Sequence, residues 1–193
     1  MNAATVAKKS SAISIRKFVF LAVLTMLAGV GRADQDIQWR HRATHGAVTL
    51  SANPLDHASR TAFYTARAFA AGAIRPYAQA CGFSFRMQNG GAVSLSTRLA
   101  DWRAVAVDGR VARFRLPVQW DLQWAGTQVS ETARIAFRWG QFQAENVLEA
   151  GDWIMGMATL DAPLPGNFRL IARYHDEKGS HEIVLDNLVC HRD

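Results

Sequence analysis

The 193-residue chain carries 22 Lys and Arg against 16 Asp and Glu, a formal net charge of +6. Five of those cations (Lys8, Lys9, Arg16, Lys17 and Arg32) and none of the acids fall between Met1 and Ala33. The remaining 17 cations against 16 acids leave +1. That balance excludes the basic footprint of a nucleic-acid-binding protein.

The N-terminal segment reads as a leader. A positive stretch precedes the apolar run Phe18–Val30. That run falls well short of the roughly 20 residues a spanning helix needs. Gly31 and Ala33 then place small residues before polar Asp34. This pattern predicts a Sec-type signal peptide over residues 1–33, cleaved after Ala33. The expected location is the periplasm or the exterior, with no transmembrane segment after processing. The remaining chain, 34–193, has the length of one domain with its own core. Its two cysteines, Cys81 and Cys190, then read as a disulfide, because an even pair in an oxidising compartment pairs.

Along the mature chain, Val48 and Leu50 predict a short strand ended by Asn53-Pro54. A helix is expected over 57–71, capped by Asp56 or Ser59, with Phe63, Ala66, Ala70 and Ile74 at helical spacing. Gly72 breaks it, and a short helical turn starts near Pro76. From Cys81 the period becomes two. Cys81, Phe83, Phe85 and Met87 alternate with Gly82, Ser84, Arg86 and Gln88. Asn89-Gly90-Gly91 is a turn, and Asp108-Gly109 marks a hairpin. The run Phe114–Trp124 alternates so regularly that it predicts a half-buried antiparallel strand, with Pro117 at an edge or bulge. Ile135, Phe137 and Trp139 predict another strand, all three facing inward. Residues 168–190 predict a hairpin around Lys178-Gly179. The sum is a mainly β fold: an antiparallel β-sandwich, immunoglobulin-like in general architecture, with one N-terminal helical segment. The alternative is a closed β-barrel.

Familiar catalytic loops are absent. The chain has no GxSxG, GxGxxG or GxxxxGK[ST]. His181-Glu182 starts like a zinc-protease helix, but Leu185 occupies the second histidine position. Three constellations remain. Met155 and Met157 are two apart, so in a strand both thioethers share one face. Thioethers suit Cu(I), and Met87, His41, His45 or His175 would complete such a site. The competing expectation is core packing, with Trp153, Met155 and Met157 buried together and Gly156 set where another backbone comes close. Second, a turn at Lys178-Gly179 would pair Asp176 with His181 and His175 with Glu182, a setting for binding or proton transfer. Third, Trp120, Trp124 and Trp139 read as core, whereas Trp39, Trp102 and Trp153 near turns could stack on a ligand. The function expected from this is an exported, non-enzymatic β-sandwich that binds or supports another protein or envelope component. The alternatives are a periplasmic copper-handling protein and an envelope hydrolase with an unfamiliar site.

Overall fold

A computed structural model describes residues 37–191. The expected signal peptide, 1–33, lies outside the described residues.

The strands are β1 (His41–His45), β2 (Val48–Leu55), β3 (Gly82–Asn89), β4 (Leu95–Arg98), β5 (Arg103–Ala106), β6 (Val111–Arg115), β7 (Glu145–Leu148), β8 (Trp153–Leu160), β9 (Phe168–Asp176) and β10 (Gly179–Leu188). Every ladder between them is antiparallel. They form one open sheet in the order β1-β2-β3-β8-β6-β5-β9-β4-β7, with β10 on β9. β6 pairs with β8 on one side and β5 on the other, and there the sheet folds over on itself. β1 runs beside β10 without a ladder joining them, so the barrel does not close. The fold class expected from the sequence, a mainly antiparallel β-sandwich, is the one observed.

Alternation explains the core. Phe83, Phe85 and Met87 of β3 point inward while Ser84, Arg86 and Gln88 point out, because successive strand residues face opposite ways. Phe83 meets Phe168 of the facing layer at 5.9 Å between ring centroids, and Phe85 meets Trp102 at 5.5 Å. The β5–β6 hairpin turns at Gly109, whose φ is +85°. Glycine suits that conformation, as the Asp108-Gly109 pair predicts. Cys81, just before β3, and Cys190, just after β10, form a disulfide with Cα atoms 5.0 Å apart. The bond expected from the sequence is present.

The largest departure concerns helices. Among the described residues there are four α-helices: α1 (His57–Thr65), α2 (Ala71–Gln79), α3 (Pro117–Trp124) and α4 (Glu131–Gly140). The strand expected over Phe114–Trp124 ends at Arg115 and becomes α3. Pro117 at the first helical position favours a helix start. Gln119 Oε1 accepts the Leu116 N–H at 2.8 Å. That bond satisfies one of the open donors at the helix start. The strand expected around Ile135–Trp139 is α4, whose Ser130 Oγ accepts the Ala133 N–H at 3.2 Å. Serine is among the residues favoured as such a cap. Asp56 rather than Ser59 caps α1, accepting the Ser59 N–H at 2.6 Å. β2 runs on through Asn53 and Pro54 to Leu55, past the expected stop, with Pro54 opposite Phe83.

The two helical pairs pack together over the outer face of β3 and β8. Their core holds Tyr64, Phe69, Ile74, Tyr77, Trp120, Trp124, Ala133 and Phe137, with Met157 against it. The Trp120 indole donates to Thr159 Oγ1 of β8 at 3.0 Å, tying layer to sheet. Buried Gln141 donates from Nε2 to Tyr64 OH at 2.6 Å, and its Oε1 accepts from Tyr77 OH at 3.2 Å. Burial raises both phenols well above their usual pKa, so both stay neutral.

Candidate functional site

The Met pair is split: Met157 is half-buried against the helical-layer core, and Met155 is exposed. Arg86 pairs with Met155 and Met87 with Ile154 across the β3–β8 ladder. Met155 and Met157 therefore share the outer face, as their spacing requires, and Met87 lies on the inner one. Met155 is 42% exposed and Trp153 is 55% exposed, contrary to the expected burial. The reason is that the helical layer covers only the Met157 end of β8. Gly156 meets the expectation made for it: a β-carbon there would collide with the backbone of Gln141 and Phe142. The residues named for copper do not converge. Met87 faces the core, His41 and His45 sit on β1, and His175 faces outward from β9. Among the described residues no group of three His, Cys, Asp or Glu side chains gathers to hold a metal ion.

The C-terminal hairpin brings together one of its two expected pairs. Its turn centres on Glu177 and Lys178, so His181 lies opposite Tyr174 and Glu182 opposite Arg173. His181 still reaches Asp176, Nε2 to Oδ1 at 2.8 Å. Glu182 binds Arg103 at 3.0 Å and Arg173 at 2.9 Å, not His175. His175 is in register with Ser96 and Ser180 instead.

His181 belongs to a larger cluster at the β1–β10 seam. Its ring stacks on Tyr174, centroids 5.1 Å apart, and lies 5.6 Å from the His45 ring. His45 Nδ1 and Tyr174 OH are 2.7 Å apart in a hydrogen bond. The groove beside them holds about 360 Å³ and is also lined by Asn89, Gly91 and Lys178. Hydrogen bonding from His181, together with the nearby Lys178 amide and charge, holds the Asp176 carboxyl below its usual pKa. Burial raises the Tyr174 phenol. Such a His–carboxylate pair can pass protons. Among the described residues that line the groove there is no serine, threonine or cysteine to serve as a nucleophile.

The tryptophans divide differently from expectation. Trp102 is fully buried, its indole donating to Thr97 Oγ1 at 2.9 Å, so it offers no stacking surface. Trp39 is half-buried. Trp120 and Trp124 are core, as expected. Trp139, expected inside, is 83% exposed. In a helix, residues 133 and 137 face one way and residues 135 and 139 nearly the opposite way. Ala133 and Phe137 are buried, so Ile135 and Trp139 point out. On α3 Trp120 and Trp124 are buried and Val118 and Leu122 point out. The two helices lie side by side, since Asp121 of α3 receives Arg134 Nε at 2.8 Å and Arg138 Nη1 at 3.4 Å from α4. The hairpin thus presents Val118, Leu122, Ile135 and Trp139 outward from the protein. Its signal in the sequence is the four-residue spacing of each exposed pair, together with Pro117 and Ser130 as helix starts.

No protein-family model matches this chain, and no curated protein matches it. No helix among the described residues is long and apolar enough to cross a membrane.

Proposed function

We propose that this protein is an exported, non-enzymatic β-sandwich that docks on another component of the cell envelope through the outer face of its helical layer. The observation that carries this reading is the exposure of Val118 and Leu122 on α3 and of Ile135 and Trp139 on the adjacent α4. Large apolar side chains gathered on one exposed face mark interaction sites. The Cys81–Cys190 disulfide supports an oxidising compartment, and the leader-like residues 1–33 support export. The test places a photo-crosslinking amino acid at position 139 in living cells. A second probe goes at Val107, which is 92% exposed at the end of the β5–β6 hairpin farthest from α3. Adducts to an envelope lipid or envelope protein at 139 and not at 107 support the reading. Equal labelling at both positions, or adducts to cytoplasmic components alone, would overturn it.

A further inference from the structure

We infer that the helical layer docks on an anionic lipid surface, with Trp139 at the headgroup boundary. The inference rests on the docking face proposed above and names its occupant.

Charge supplies the first argument. Residues 56–79 and 115–140, which build the helical layer, hold six arginines against three acids. The rest of the described chain holds ten cations against ten acids, so the whole net positive charge of the described residues sits in that layer. The acids there are already committed. Asp121 holds Arg134 and Arg138, Glu131 holds Arg138 at 2.9 Å, and Asp56 caps α1. Arg67, Arg75 and Arg115 have no carboxylate partner among the described residues. Arg67 instead lies over Phe63 at 3.5 Å and Arg115 over Trp120 at 3.7 Å. These ring contacts hold both cations on the helical side.

The chemistry of the exposed row supplies the second. Trp favours the membrane–water interface because its indole is apolar in body and polar at its N–H. Val118, Leu122 and Ile135 around it would enter the acyl boundary while arginines meet headgroup phosphates. The uncovered end of β8 continues the pattern, with Met155 and Trp153 exposed on the outer face and Arg86 stacked 4.8 Å from the Trp153 ring.

A second copy of the chain is the poorer occupant. Two helical layers face to face would bring together like charges, which an anionic surface instead neutralises.

The experiment is co-sedimentation of the purified processed protein with vesicles of equal parts phosphatidylglycerol and phosphatidylcholine, against phosphatidylcholine alone. Binding to the anionic vesicles is expected to be stronger by about fivefold for each arginine engaged, and to weaken as salt rises. Trp139→Ser is expected to lower that affinity about tenfold or more. At 83% exposure the substitution leaves the fold intact, checked by an unchanged unfolding midpoint. Val107→Ser is the control and should bind as the parent does. Equal affinity for both vesicles, no binding to either, or a Trp139→Ser variant that binds like the parent would overturn the inference. Vesicle binding absent while position 139 still crosslinks to an envelope protein would remove the lipid and keep the docking face. A dimer in sedimentation that Trp139→Ser dissolves would assign the face to a second copy and overturn the lipid.

Discussion

Phe142 donates its backbone N–H to the Met157 carbonyl at 2.8 Å, and its nitrogen lies within clashing distance of where a β-carbon on Gly156 would stand. The segment leaving α4 thus runs against β8 with no room between the backbones. Phe142 itself is fully buried in the sandwich core. Backbone cannot give way as a flexible side chain can.

Gly156→Ala should therefore cost about 2–3 kcal/mol through overpacking. Urea unfolding measures it. A loss below about 0.5 kcal/mol, the range of ordinary surface changes, would show that residues 141–142 can move aside.

Asp121 predicts a pH dependence. Hydrogen bonds from Arg134, reinforced by its charge and by Arg138, hold the carboxyl below its usual range. A depressed folded pKa adds stability that is complete above the unfolded value of about 3.9 and is lost as pH falls through the folded value. Asp121→Asn should destabilise by about 1–2 kcal/mol at neutral pH. The gap to the parent should close as the medium is acidified. An unchanged gap from neutral pH down to strong acid would remove the charge from the explanation.

The disulfide joins residues 109 apart in sequence. Constraining so long a loop in the unfolded chain is worth about 4–5 kcal/mol in the chain-entropy account. The Cys81→Ser, Cys190→Ser double variant should lose a comparable amount in denaturant titrations. A midpoint indistinguishable from that of the oxidised parent would contradict it.

Met155→Leu should change stability by less than about 0.5 kcal/mol, because the side chain is exposed. Met157→Leu should stay within about 1.5 kcal/mol, because a similar volume still packs against the helical layer. Calorimetric titration of Cu(I) against the double variant and the parent decides the metal question separately. Stoichiometric binding by the parent alone would return the pair to copper chemistry.

Period-two patterning locates β3, β5 and β6 because each alternates buried with more exposed residues. The β9–β10 hairpin is legible from its turn instead, since β9 buries Leu170, Ile171 and Ala172 in succession. The period-two rule misread α3. Trp120 and Trp124 are four apart, and a spacing of four falls on one face of a strand and of a helix alike. Only Pro117 and the flanking turns distinguish the two. On α4 the misreading mattered more, since a strand sends Ile135, Phe137 and Trp139 the same way while the helix buries Phe137 alone. That misreading hides the exposure of Ile135 and Trp139. The seam cluster was hidden by distance: His45 and His181 lie far apart in the chain, and only the approach of β1 to β10 joins them. The His175–Glu182 pairing failed because the turn forms one residue earlier than Lys178-Gly179, which shifts the opposed residues by two.

The position of the disulfide also sets a schedule. Cys190 follows Cys81 by 109 residues, an interval of synthesis during which the bond cannot form. At typical synthesis rates of about 5–20 residues per second, that interval lasts roughly 5–20 s. Throughout it Cys81 has no cysteine partner within its own chain. The pairing therefore comes late, after β4 to β10 exist to carry Cys190 home, and fixes the folded chain without guiding its early steps.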